Sequence, residues 1–346
     1  MTPPIAQCET HVVTDSDHQR ATETTRYRRF ADNEARGRSP LYEAFARGVS
    51  GDRDTIDFLL TLPPAKRQPN LLFAAVRHLS GTPANWADFR TRLLADPEAV
   101  RSIMLRHATQ TNEPARCATL LPILARLPQP LALIEVGASA GLCLLPDFYA
   151  YDYGDRIVRP KDTGFEPPVF RCDVNAASPA PAGVPRVVWR AGLDLNPLDV
   201  CDPAQAAWLE TLVWPEQTDR LRNLRAAMTI AAAVRPLVVR GSLLGDDLPR
   251  LCREAPAQAT LVIFNSAVLA YVPDLADRQA FASMTGQLCH TWISNEAPRV
   301  FPDQSARAPA PKWTDRFLLS VNGSPVGWSD PHGAALDWIE TPPQST

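Results

Sequence analysis

The sequence predicts an α/β protein: a helical front, then a doubly wound parallel sheet, then a C-terminal antiparallel hairpin. Three observations carry this. Apolar residues recur at three- and four-residue spacing from Tyr27 to about Leu127, the period of amphipathic helices. From Pro128 the texture changes to short apolar runs separated by helical stretches, the alternation expected of a parallel sheet. Near the end, Phe317–Asn322 and Val326–Ser329 flank Gly323-Ser324-Pro325, which reads as a hairpin turn.

Taken in order, residues 1–24 are polar and read as a disordered tail, 25–127 as a helical cap and 128–341 as the sheet domain. Tyr42, Phe45, Ala46 and Val49 form one apolar face, and Ile56, Leu59 and Leu60 a second, stopped by Pro63-Pro64. Leu71, Leu72, Ala75, Val76 and Leu79 form a third, closed by Gly81, and Trp86, Phe89, Leu93 and Leu94 a fourth. Strands are expected at 131–136, 186–190, 236–240, 261–264 and 291–294. Helices are expected between several of them, at 204–212, 220–234, 248–253 and 277–288.

Composition removes several classes. The 346 residues are 45% hydrophobic and 21% charged, ordinary for a globular chain. A net charge of −3 gives no electrostatic case for nucleic acid or an anionic membrane as the main partner. No run approaches the ~18 apolar residues of a membrane helix. The first 25 residues lack the basic start and apolar run of a signal peptide, so a cytoplasmic protein is expected. The seven cysteines are scattered and never form C-x-x-C, so neither a disulfide framework nor a metal site is expected. Nothing sets the oligomeric state.

The chemistry-bearing segment is Leu131–Leu142, a buried strand running into Gly137-Ala138-Ser139-Ala140-Gly141 and an expected helix. In one reading this is a cofactor loop: small residues let the backbone approach a ligand, and a helix N-terminus offers free N–H groups. Glu135 before the loop resembles the acidic residue in the first motif of class I S-adenosylmethionine (SAM) methyltransferases. The acid expected at the second strand end is Asp194, in Gly192-Leu193-Asp194-Leu195. Its distance from Gly141 exceeds the ~20 residues usual between loop and acid, which requires an insertion over 149–185. The other reading is a G-x-S-x-G nucleophile elbow, with Ser139 served by Asp246 or Asp274 and by His290 or His332. A non-catalytic metabolite-binding module is a third. A hydrolase needs neither Glu135 nor an acidic second strand end, and a methyltransferase expects both.

Under the cofactor reading, Glu135, Gly137, Ala138, Ser139, Gly141, Asp194, Leu195 and Ser242 hold SAM. Gln110, Asn112, Glu113 and Arg116, in a polar stretch before the first strand, fold over the strand ends, with Arg106 or Arg116 suited to the methionine carboxylate. Asn265, Ser266 and Tyr271 line the mouth beyond the fourth strand, and the small-molecule acceptor sits there. Glu296 and His332 are the candidate general bases.

The chain also resembles the bacterial domain-of-unknown-function family 2332. Ser39-Pro40-Leu41-Tyr42, Gln68–Leu72, Thr109–Glu113 with Arg116-Cys117, and Leu133–Leu142 carry the resemblance. So do Tyr149-Ala150-Tyr151, Arg190–Leu195, Trp208-Leu209, Trp214-Pro215-Glu216 and Asp330-Pro331-His332-Gly333. The match covers about residues 25–340 and implies a helical front followed by a SAM-methyltransferase-like, Rossmann-like sheet. It does not imply a substrate. One departure is Cys143, where the family more often has Asn.

Overall fold

A computed structural model describes residues 15–110 and 112–339. The chain divides into two units. The first takes the described residues through Thr109 together with Thr211–Thr218; the second takes the described residues of Gln110–Glu210 and those from Asp219 onward.

The first unit is helical: α1 (Asp15–Phe30), α2 (Pro40–Gly51), α3 (Arg53–Leu60), α4 (Pro69–Ser80), α5 (Trp86–Ala95) and α6 (Pro97–Arg106). The expected tail thus gives way to helix from Asp15, and residues 1–14 lie outside the described residues. The N-caps have side-chain causes. Ser39, Asp52, Asn85 and Asp96 each accept a hydrogen bond from an N–H of the first turn. Helix α2 buries Tyr42, Phe45, Ala46 and Val49, the face set by its spacing. Two of the family-like motifs meet here. Ser39 Oγ donates to Glu216 Oε2 at 2.7 Å, and Trp214 packs against Tyr42 with ring centroids 5.4 Å apart.

The second unit begins with α7 (Cys117–Leu124), all eight of whose residues are buried. Its apolar surface on every side explains why it belongs with the sheet rather than the helical front, where sequence texture had placed it. Tyr153 Oη donates to the Ala118 carbonyl at 2.7 Å. The strands are β1 (Leu131–Val136), β2 (Ala150–Asp152), β3 (Ile157–Val158), β4 (Val169–Arg171), β5 (Asp173–Val174) and β6 (Val187–Asp194). After α8 (Pro203–Leu212) and α9 (Thr218–Val234) come β7 (Leu237–Arg240), α10 (Asp247–Glu254), β8 (Thr260–Ser266) and α11 (Leu275–Leu288). The chain then forms β9 (Thr291–Glu296), α12 (Pro302–Ala306), β10 (Phe317–Val321), β11 (Ser324–Ser329) and β12 (Ala335–Trp338).

Nine strands make one mixed sheet in the order β5-β12-β11-β10-β9-β8-β1-β6-β7. From β9 through β8, β1 and β6 to β7 all pairings are parallel; β9 to β12 pair antiparallel. The fold is therefore α/β, and the expected hairpin is extended by a third strand, β12. The interval expected as an insertion holds the separate three-stranded sheet β3-β2-β4. Strand order reverses at β1: the chain moves outward to β6 and β7, then returns to β8 and β9 on the other side. Such a reversal opens a crevice at the carboxyl ends of β1 and β8.

Alternation along the strands separates two faces. Ile134, Val136, Leu193, Ile263 and Trp292 point to one, and form a core with Leu248 and Leu251 of α10 and Phe281 of α11. Glu135, Ser266 and Asn295 point to the other: Ser266 pairs with Asn295 across β8 and β9, and Glu135 of β1 pairs with Phe264, two residues before Ser266. Among the described residues no helix is long and apolar enough to cross a membrane, and the six cysteines are all free.

Gly333 requires its lack of a side chain. Its φ is +86°, and a Cβ there meets the Ala115 carbonyl oxygen at 2.2 Å. Gly286, inside α11, has open space around its Cβ position. Gly333→Ala should therefore destabilise the protein by about 2–4 kcal/mol, while Gly286→Ala should stabilise it by about 0.5–1 kcal/mol. Thermal denaturation of both variants checks the pair.

Candidate ligand-binding site at the strand ends

The loop after β1 turns through three left-handed residues: Gly137 (φ +77°), Ser139 (+51°) and Gly141 (+72°). Ser139 is not a glycine, so its backbone is strained and must be held. Asp194 holds it. Oδ2 of Asp194 accepts from the Ser139 N–H at 2.8 Å, and Oδ1 accepts from Asn196 N–H at 2.8 Å and Gln110 Nε2 at 2.9 Å. The two carboxylate oxygens thus join the loop, the polar segment and the end of β6.

No α-helix follows the loop, a correction to the sequence reading. Leu142–Leu144 and Pro146–Phe148 are single 3-10 turns. Pro146 lacks an N–H and so disfavours continuation of a helix begun at Leu142. Most of the loop N–H groups are also spent within the protein. Gly137 and Ala138 donate to the Leu193 carbonyl, Gly141 to the Ala138 carbonyl, and Leu142 to Asn112 Oδ1 at 2.7 Å. An anion cradle of free N–H groups at a helix N-terminus is not what this loop offers.

The polar segment is anchored rather than open. Glu113 Oε1 caps the Ala115 N–H at 3.2 Å, and its Oε2 forms an ion pair with Arg220. Arg116 is buried; its Nε donates to the Pro331 carbonyl at 2.8 Å and its Nη1 to the Ser266 carbonyl at 3.3 Å. Asp330 shapes the turn that supplies Pro331, accepting the His332 N–H at 2.8 Å and Arg316 Nη1 at 3.1 Å. Beneath the loop, Arg190 of β6 makes paired 2.8 Å bonds to both oxygens of Asp147.

Sequence reasoning placed Asn265 at the ligand mouth and Glu296 after the fifth strand as a general base; both belong to the last residues of their strands and bond each other. Asn265 Nδ2 donates to Glu296 Oε1 at 2.8 Å, and Trp292 Nε1 donates to Asn265 Oδ1 at 2.8 Å. Glu296 Oε1 also accepts the Val268 and Leu269 N–H groups at 3.0 and 3.1 Å. Asn265 is thereby committed to the protein. Ser242 is half-buried; its N–H bonds Asp247 Oδ2 at 3.0 Å, so Asp247 ties back to the strand end rather than capping α10. Leu195 and Tyr271 are exposed, at 73% and 71%, and His332 is exposed as well. These three are not gathered with the buried strand-end groups.

Apart from Glu23 Oε2 and Arg316 Nε, which lie elsewhere, what remains is a set of buried polar atoms without hydrogen-bond partners: Glu135 Oε2, Ser139 Oγ, Ser266 Oγ, Asn295 Nδ2 and Glu296 Oε2. All lie at the ends of β1, β8 and β9 or in the loop after β1. Buried polar groups are nearly always satisfied, so such a concentration points to a polar ligand or ordered water. Asn295 was not foreseen; a mid-strand amide in a sheet carries no sequence signal of its own. No group of histidine, cysteine, aspartate and glutamate suited to a metal occurs among the described residues.

Burial pushes the Glu135 carboxyl well above its ordinary value of 4.5, with Cys143 adding to the shift and Arg116 opposing it. Burial also raises Glu296, opposed by the N–H groups of Val268 and Leu269. The native chain therefore keeps a proton on Glu135 that the unfolded chain releases above about pH 4.5, and this group subtracts stability as pH rises past that point. Glu135→Gln removes the term. Chemical denaturation of both proteins at pH 4.5 and pH 7.5 should show the variant gaining stability relative to wild type at the higher pH; a constant difference refutes the assignment.

No curated protein and no solved structure matches this chain. The model of the family described as an uncharacterized protein conserved in bacteria (DUF2332) matches residues 24–338, and the chain belongs to that family.

Proposed function

We propose that this chain is a SAM-dependent methyltransferase acting on a small-molecule acceptor. The observation that carries the reading is the reversal of strand order at β1, with Glu135 and the Gly137–Gly141 loop placed at the resulting crevice. Asp194 at the end of the neighbouring β6 is the second acid such a cofactor site requires.

The donor set suits the cofactor through side chains rather than through loop amides. SAM presents an ammonium and two ribose hydroxyls, all donors. Glu135 Oε2 has no protein partner, and Asp194 Oδ2 accepts a single protein bond, which leaves it lone-pair capacity. Glu135, giving up the proton that burial keeps on it in the unbound chain, would hold the ammonium end and Asp194 the ribose. When bound, SAM supplies a methyl group on a sulfonium. The chain's own residues supply proximity and alignment; Glu296, the general base expected from the sequence, spends Oε1 on Asn265, Val268 and Leu269 and projects to the other face of the sheet from Asn295.

The serine-hydrolase reading has one observation in its favour, the buried and unpartnered Ser139 hydroxyl on a left-handed residue. Against it, Asp246, Asp274, His290 and His332 are all exposed while Ser139 is buried. A metabolite-binding module without chemistry differs only in turnover.

Calorimetric titration with SAM and with S-adenosylhomocysteine tests the proposal. Wild type should bind both saturably. Asp194→Ala should weaken binding about tenfold or more. Gly137→Arg should abolish it, because even a Cβ there meets the Val268 side chain at 2.5 Å. Ser139→Ala should weaken binding only a few-fold. Absence of binding by folded wild type overturns the methyltransferase reading; loss of an esterase activity in Ser139→Ala would replace it with the hydrolase.

A further inference from the structure

Ser266 and Asn295 are direct neighbours on the parallel strands β8 and β9, paired in register. Register partners on adjacent strands present their side chains to the same face. Asn295 is fully buried and Ser266 is 8% exposed. Both hold an atom with no partner, Ser266 Oγ and Asn295 Nδ2. The rest of each residue is fixed. Ser329 Oγ donates to Asn295 Oδ1 at 2.6 Å, which leaves the amide nitrogen as the free end. The Ser266 carbonyl accepts Arg116 Nη1 at 3.3 Å, and the Asn295 carbonyl accepts the Ala267 N–H at 3.1 Å.

This pair is built rather than accidental. A solitary orphan is explained by one water, whereas here two donors sit side by side on rigid strands, each locked from behind. Two preorganised donors aimed at one place suit one acceptor oxygen and its neighbour. No carboxylate belongs to the pair. Glu135 lies two residues back along β1, in register with Phe264. Glu296 follows Asn295 on β9 and so projects to the opposite face.

We propose that Ser266 Oγ and Asn295 Nδ2 form a binding site for the carbonyl oxygen of a small carboxylic acid or amide. As the acceptor's subsite this rests on the methyltransferase reading, and it separates the acceptor, at β8 and β9, from the cofactor residues Glu135 and Asp194 at β1 and β6. As a binding site it stands without that reading.

The test uses the whole chain and three matched probes: benzoate and benzamide, which carry a carbonyl oxygen, and benzylamine, which does not. Asn295→Asp is the diagnostic variant. It keeps the oxygen that bonds Ser329 and replaces only the free amide nitrogen. Ser266→Ala removes the other donor with little change of shape. Ligand-observed NMR titration of wild type should show saturable binding of benzoate, benzamide or both, and none of benzylamine. Benzoate alone would assign a carboxylate ligand, benzamide alone a neutral amide. Asn295→Asp should weaken binding about tenfold or more, and Ser266→Ala about threefold to tenfold. A far-ultraviolet circular dichroism spectrum matching wild type establishes that each variant is folded.

SAM titration of Asn295→Asp separates the two proposals. Unchanged SAM affinity with lost probe binding supports both. Probe binding by a wild-type protein that ignores SAM supports this site and sinks the cofactor reading. Failure of wild type to bind either carbonyl probe leaves ordered water as the partner of these atoms and overturns the inference. So does probe binding that both variants leave intact, or equal binding of benzylamine.

Discussion

A buried guanidinium organises the candidate site. Arg116 carries its charge out of water, and a buried cation is tolerated only when its donors are met and opposite charge is near. Both conditions are satisfied by distant parts of the second unit. The Pro331 and Ser266 carbonyls take its N–H groups, and the carboxyl of Glu296 lies within its electrostatic reach. One side chain thus ties the polar segment before α7 to the end of β8 and to the turn before β12. The close passage of Gly333 over the Ala115 carbonyl belongs to the same junction.

The glycine loop is held by a comparable economy of parts. Left-handed backbone at Ser139 persists because Asp194 accepts its N–H, and Asp194 is fixed in turn by Asn196 and Gln110. The loop therefore comes preorganised, with most of its amides spent internally and its side-chain hydroxyl left over. Recognition through side-chain carboxylates and hydroxyls follows from that distribution. The residues of the polar segment then act as positioning groups: Gln110 on Asp194, Asn112 on the Leu142 N–H, Glu113 on Arg220.

Partial occupation of polar atoms distinguishes the site from ordinary packing. Asn265 has every polar group engaged, which makes it a strut between β8 and β9. Ser266 and Asn295, its neighbours in sequence and across the ladder, face the other way with donors unspent. One residue of strand register separates a structural amide from a recognition amide, because side chains alternate between faces.

Much of the fold was legible in the sequence. The period-3.6 faces of the front helices, the apolar strand runs and the hairpin turn are local properties, written in spacing and in Gly and Pro positions. Glu135, the small-residue loop and Asp194 could likewise be picked out by type and order. Other features could not. A helix was expected after Gly141 because strand, turn and helix commonly follow one another; Pro146 and the satisfied Leu142 N–H leave only single turns. Asn265 and Glu296 looked like strand-end groups because neither apolarity nor spacing reveals that a strand continues into polar residues. Asn295 had no signal at all. Local chemistry determined which residues could turn, bury or bond. Only the tertiary structure decided which polar atoms spend that capacity on the protein and which keep it for a partner, since hydrogen-bond pairing across β1, β8, β9 and β11 depends on register between segments far apart in the chain.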